Sequence, residues 1–254
     1  METISRREIL LSSTGLAGLA PIAAPGSPTP PGREGSRVER KLKVVVVGGH
    51  PDDPETGVGG TIARYADEGH EVVCLYLTRG EAGIRGKTHE EAAAVRTAEA
   101  EAACRVLVAK ALFAGQIDGA TEINAERYEQ FGKLLGKIKP DIVFTHWPID
   151  SHRDHRVASL LVYDAWLKAG KRFALCYYEV YSGIQTQHFH PTHYVDITQT
   201  EARKREAVFC HRSQNPERMW KLHSLMDRFR GTECRRKTAE AFVRHVNSST
   251  GLVL

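Results

Sequence analysis

Two short stretches of the chain concentrate side chains that bind cations and move protons. The first reads Gly48-Gly49-His50-Pro51-Asp52-Asp53-Pro54-Glu55. Pro51 biases His50 towards an extended backbone, and the two glycines let the chain turn sharply, so His50, Asp52 and Asp53 can project into one crevice. Three carboxylates this close repel one another unless a cation sits among them, and a divalent metal supplies that charge. The second stretch reads His146-Trp147-Pro148-Ile149-Asp150-Ser151-His152-Arg153-Asp154-His155. His155 opens a helix, and His152 precedes it with Asp154 between them. Two imidazoles and one carboxylate drawn from the two stretches form a donor set that suits zinc, with positions left open for water and substrate.

Both stretches follow apolar runs of strand character, at 42–47 and 141–146. Further strands are expected at 71–77, 111–114, 172–180 and 193–197, and helices at 58–68, 90–107, 126–138, 153–168 and 199–211. This alternation predicts an α/β fold, a Rossmann-like and mostly parallel sheet with helices on both faces. In such a sheet ligands bind beyond the carboxyl ends of the strands, where both stretches fall. The segment 216–254 is expected to be helical and basic, with Arg228, Arg230, Arg235, Arg236 and Lys237 on a solvated face. Gly57, Gly59 and Gly60 come too late after the first strand, and with the wrong spacing, for a dinucleotide loop.

Composition narrows the class. With 254 residues, 41% hydrophobic and 26% charged, the chain fits one sizeable domain and excludes a disordered, collagen-like or multi-span membrane protein. A net charge of +4, spread along the chain, argues against a nucleic-acid partner. Cys74, Cys104, Cys176, Cys210 and Cys234 include no CxxC pair, and their odd number excludes a fully paired disulfide framework.

The first forty residues read differently from the rest. Arg6-Arg7 precede an uncharged stretch over 9–24, which resembles a twin-arginine export signal, with Ala23 and Ala24 near the cleavage point. Five of the eleven prolines fall within 21–35, a linker composition. The expectation is a signal peptide and Pro-rich linker over 1–40, a folded domain over 41–254, and export to the periplasm or beyond without a stable membrane anchor in the mature form.

The residues also resemble a known family. His50-Pro51-Asp52-Asp53 is similar to the HPDD signature of the LmbE-like or PIG-L family of zinc-dependent de-N-acetylases, and His152-Arg153-Asp154-His155 to its HxDH signature. Thr78-Arg79-Gly80-Glu81, Arg96 with Glu99, Val195-Asp196-Ile197-Thr198, and Lys204, Ala207, His211, Ser213 and Gln214 extend the resemblance from Lys43 to Gln214. It implies that His50, Asp53 and His155 bind Zn2+ (another divalent metal being possible), and that Asp52 is the general base. It further implies that His152 stabilises the oxyanion and protonates the leaving amine, with Asp154 orienting it. Arg96 resembles the family's substrate-contacting arginine, with Arg85 as a rival. His146 and His211 are expected to support the site from behind, and the HxHxxH stretch His188, His190 and His193 to lie on a loop without a metal role. The activity implied is removal of an acetyl group from an N-acetylated sugar or glycoconjugate, such as an N-acetylglucosamine derivative. Two other classes compete: a non-haem iron oxygenase, which would have no use for the spare Asp52, and a non-catalytic exported sugar-binding module, which would not need the full set of six His and Asp residues.

Overall fold

The computed structural model describes residues 40–248. The expected signal peptide and linker lie outside the described residues, apart from Arg40. Strands and helices alternate as β1 (Lys43–Gly48), α1 (Asp53–Asp67), β2 (Glu71–Tyr76), α2 (His89–Leu107), β3 (Lys110–Phe113), α3 (Ala125–Ile138), β4 (Ile142–His146), α4 (Arg153–Lys168) and β5 (Ala174–Tyr178). They continue as β6 (His193–Asp196), α5 (Glu201–Val208), α6 (Pro216–Cys234) and β7 (Ala239–Arg244). The seven strands run in the order β3-β2-β1-β4-β5-β7-β6. The first five are parallel, and β7 is antiparallel to both β5 and β6.

The β-branched run of β1 explains why the sheet is covered on both sides. Val44 and Val46 enter one core with Val58 and Ile62 of α1 and Ala100 and Leu107 of α2. Val45 and Val47 enter the opposite core with Phe131 of α3 and Leu161 and Trp166 of α4. Alternate side chains of a strand point to opposite faces, so a strand buried on both reads as continuously apolar. The order reverses at β1, which has β2 on one side and β4 on the other; the crevice between the ends of β1 and β4 is the switch point where such sheets bind ligands.

Two expectations need correction. The segment after 216 is not all helix, because β7 follows α6 and inserts between β5 and β6. Arg230 is not solvated: it is buried, and its guanidinium forks onto Glu179 at 2.6 and 2.8 Å. The strand was hidden because Glu240 points inward. Its carboxylate accepts the N–H groups of Gly60 (2.9 Å) and Thr61 (2.8 Å) in α1 and pairs with buried Lys204 at 2.8 Å. The glycines of α1 allow this packing, since a Cβ on Gly60 would lie 2.5 Å from Ile197 and one on Gly57 2.5 Å from Tyr178. Among the described residues no helix is long and apolar enough to cross a membrane.

Candidate metal centre and active site

His50 and Asp53 leave the end of β1, and His152, Asp154 and His155 lie at the start of α4, so the two loops read from the sequence meet at the switch point. The carboxylate of Asp53 is the hub. Its Oδ2 lies 3.3 Å from His50 Nδ1 and 3.3 Å from His146 Nε2, and its Oδ1 lies 3.4 Å from His155 Nε2. A tetrahedron with metal–ligand bonds of ~2.0–2.1 Å has edges of about 3.3 Å, so the His50 and His155 separations from Asp53 suit a shared cation. His50, His152 and His155 form a further trio with ring nitrogens within 4.8 Å of one another.

The supporting bonds decide which nitrogens are free. His50 Nε2 faces Asp154 Oδ2 at 3.2 Å and Asp118 Oδ1 at 3.3 Å, which leaves Nδ1 towards Asp53. His155 Nδ1 faces Asp150 Oδ1 at 3.2 Å, which leaves Nε2 towards Asp53. Imidazoles backed by carboxylates in this way are typical of metal ligands. His146 is fully buried and stacks on His155 with 3.9 Å between ring centroids, but its Nε2 accepts the Gly49 N–H at 2.9 Å, so that lone pair is already used.

Asp154 differs from expectation. Its carboxylate accepts Thr121 Oγ1 (2.6 Å), the Gly119 N–H (2.8 Å) and His50, and its tie to His152 runs through its own backbone N–H to His152 Nδ1 at 3.3 Å. The reason is position: His152 is the N-cap of α4, and a cap side chain accepts from the first turn of backbone.

Asp52 is turned to a different purpose. Its backbone is left-handed, with φ of 106°, a region that disfavours any residue but glycine. Three bonds hold it there. Glu55 Oε2 accepts the Asp52 N–H at 3.2 Å, and Arg96 Nη2 donates to Asp52 Oδ2 at 2.7 Å and to the Pro51 carbonyl. Arg96 is 3% exposed and lies in a slot that only glycines permit: a Cβ at Gly80 or Gly83 would come within 2.6 or 2.5 Å of its guanidinium. It borders the cavity, whereas the rival Arg85 is exposed.

The adjacent aspartates therefore differ electrostatically. Burial pushes the Asp52 carboxyl up, and Asp53 beside it adds to this against the opposing charge of Arg96. Asp53 is held well below the usual carboxylate range, because the charge of His155 outweighs the cost of its burial. Burial drives His146 down to about 4, while His155, despite burial, is raised to about 9 by Asp53 and Asp150. A centre that raises a buried histidine this way favours positive charge, whether proton or metal.

His211 sits behind the site, just past α5 rather than within a helix, and its Nε2 is 3.5 Å from Glu55 Oε1. His188 and His190 are exposed, and with His193 they form no ligand cluster among the described residues. Sequence reading passed over Asp118, Asp150, Tyr181 and His223. Asp150 stood two residues before His152 and was the one with a local signal. The other three reach the cavity from distant segments. That cavity, of about 440 Å³, is bordered by His50, Asp52, Arg96, His152, Tyr181 and His223 among others.

Comparison with known proteins fits this geometry. Residues 45–166 match the family described as PIG-L, GlcNAc-PI de-N-acetylase. A diacetylchitobiose deacetylase of Thermococcus kodakarensis is 34% identical over 195 residues, covering 71% of this chain and 73% of the relative. A 4-oxalmesaconate hydratase of Pseudomonas putida is 24% identical over 227 residues, covering 82% and 87%. Among solved structures, N,N'-diacetylchitobiose deacetylase from Pyrococcus horikoshii superposes with a TM-score of 0.70 at 27% identity, covering 84% of this chain and 89% of that one. The family match spans both loops that meet at Asp53, and the deacetylase likeness runs far beyond them through the sheet. With a relative 34% identical over more than two thirds of both chains, the chain belongs to the PIG-L family of de-N-acetylases.

Proposed function

We propose that the protein is a metal-dependent hydrolase that removes the acetyl group from an N-acetylated amino sugar or glycoconjugate, with a substrate of the N-acetylglucosamine class. The observation that carries this reading is the divergence of two neighbouring carboxylates: Asp53 faces three imidazoles, while Asp52 is clamped by Arg96 beside the same cavity. Zinc, or another divalent cation, would be held by His50, Asp53 and His155. Bound there, it supplies Lewis acidity, polarising the acetamide carbonyl and lowering the pKa of water towards ~7. Asp52 Oδ1, which is not engaged by Arg96, accepts the proton of the attacking water. The Asp154 N–H at His152 Nδ1 places the proton of the neutral ring on Nε2, which would donate a hydrogen bond to the developing oxyanion, while the proton that Asp52 takes from water passes on to the leaving nitrogen. A spare carboxylate of this kind has a task in hydrolysis and none in an iron oxygenase, and a binding module would need neither aspartate.

The test is zinc content and amine release measured on the same samples with N,N'-diacetylchitobiose. Asp52→Asn is expected to keep its metal and lose turnover by on the order of 10² to 10⁴, the range for a lost general base, and Asp53→Ala to lose both. Wild-type turnover by Asp52→Asn overturns the assignment. Because one relative is a 4-oxalmesaconate hydratase, hydration of 4-oxalmesaconate is the control assay.

The reading extends to export, supported by Arg6-Arg7 ahead of an uncharged stretch. Replacing both arginines by lysine is expected to leave precursor in the cytoplasm, and normal secretion of that variant would refute it.

A further inference from the structure

The end of β5 turns back on itself through Val180 to Thr186, and this turn forms the wall of the cavity that the chemistry above leaves unused. Tyr181 stands in it with φ of 46°, left-handed backbone for a bulky residue. Its carbonyl accepts the N–H groups of Ile184 (2.8 Å) and Gln185 (2.9 Å), which closes the turn. Glycine or asparagine would meet that geometry with less strain. The aromatic side chain is therefore kept for something other than the turn. Part of it packs on the core. The rest borders the cavity beside Asp52 and Asp53, and its hydroxyl has no hydrogen bond among the described residues.

The wall is rigid. Thr186 Oγ1 accepts the Val180 N–H and donates to Asp150 Oδ2, both at 2.8 Å, and the Ser151 and Gln187 N–H groups bond to Gln185 and Ile149 carbonyls at 3.0 Å. The turn is thus stitched to the loop that carries His152 and His155. Behind Tyr181 lies the ring of His223, 4.4 Å away between centroids. His223 is 4% exposed, and burial together with the Lys204 charge keeps it neutral, with a pKa driven down to about 3. Its Nε2 and the Oε1 of Gln185 are buried without a partner, and both residues border the cavity. Unpaired polar atoms at a strained, pinned aromatic wall are the mark of a surface completed by its ligand.

We propose that Tyr181, backed by His223 and flanked by Gln185, is the substrate-recognition wall: its ring packs against the C–H face of the pyranose that bears the acetamide, and its hydroxyl hydrogen-bonds that sugar's rim. The inference rests on the amino-sugar reading of the same site, and it adds that the enzyme selects its substrate by the ring and not by the acetamide alone. Pockets that recognise small ligands combine an aromatic platform with a few placed polar groups in this way.

The experiment uses the zinc-loaded full chain and its Tyr181→Asn and Tyr181→Phe variants. Amine release is measured with N,N'-diacetylchitobiose and with N-ethylacetamide, which has no ring to meet the wall, and disaccharide binding is measured by calorimetry in an Asp52→Asn background. Tyr181→Asn relieves the backbone and removes the ring, so its melting temperature should hold while KM for the disaccharide rises roughly tenfold at near-constant kcat. Its affinity should fall by the same factor, and the N-ethylacetamide kinetics should not move. Tyr181→Phe keeps the packing and should raise the disaccharide KM by about threefold through the hydroxyl alone; it carries the test if the asparagine variant does not fold. Unchanged KM and affinity in a folded variant overturn the proposal, as does an equal loss on both substrates. If the wild type binds the disaccharide but releases no amine, the deacetylase reading falls and the wall is judged on affinity alone.

Discussion

Arg96 reaches from α2 to bond both the carboxylate of Asp52 and the carbonyl of the residue before it, and so holds an aspartate at φ of 106°. The family resemblance suggested a substrate contact for this arginine. The structure gives its guanidinium a second duty, fixing the orientation of the proposed base. Both bonds leave one nitrogen, Nη2, whose two hydrogens are fixed in the guanidinium plane, whereas a lysine ammonium is shorter and rotates freely. Arg96→Lys is expected to keep zinc and fold but to lose on the order of 10² in kcat through misplacement of Asp52. Steady-state kinetics with zinc analysis check this, and an effect confined to KM would restore the substrate-contact role.

The slot around Arg96 offers an independent route to the same effect. A methyl at position 83 would sit 2.5 Å from the guanidinium, which has little room to move. Gly83→Ala is therefore expected to lower kcat with metal retained, and combining it with Arg96→Lys should cost less than the product of the single effects. Fully multiplicative losses would show that the two residues act separately.

Asp154 can be assigned by its partner. If it steadies His50, as the 3.2 Å contact indicates, Asp154→Asn should weaken zinc binding by about 10- to 100-fold. Competition against a chelator of known affinity measures this directly. Unaltered zinc affinity with reduced turnover would return Asp154 to the role implied by the resemblance, orienting His152.

A buried ion cluster away from the metal centre predicts a pH dependence of stability. Lys204 faces two carboxylates, Asp227 and Glu240, both at 2.8 Å. Burial pushes Asp227 up to about 7, against the pull of Lys204, with Glu240 adding to the rise. A carboxyl with a raised folded-state pKa binds its proton more tightly when folded, so its contribution is complete below about pH 4 and is lost as pH rises through about 7. Asp227→Asn removes this titration. Urea midpoints for wild type and variant between pH 5 and pH 8 should converge in favour of the variant as pH rises, and parallel profiles would exclude Asp227 as the titrating group.

Much of the site was legible because its chemistry is local. His50, Asp52 and Asp53 are adjacent in sequence, as are His152, Asp154 and His155, and each set follows an apolar run whose composition announces a buried strand. What escaped depends on long-range partners. Asp118 approaches His50 from the loop after β3, and Tyr181 and His223 come from opposite sides of β6. Strand β7 was unreadable for a related reason: Glu240 breaks the expected alternation, and only the α1 amides and Lys204 explain why a carboxylate is buried there.

The inserted strand β7 also sets the order in which the molecule can be completed. Gly60 and Thr61 belong to the helix that begins at Asp53, yet the carboxylate that binds their amides arrives 180 and 179 residues later. During synthesis every proposed ligand and the proposed base leave the ribosome long before that helix has its anchor. Contacts of such long sequence separation form late and slow folding. A chain stopped short of Ala239 would contain every residue of the proposed catalytic set and still leave the Gly60 and Thr61 amides without their carboxylate, so loss of the segment from Ala239 is expected to lower activity with every one of those residues intact.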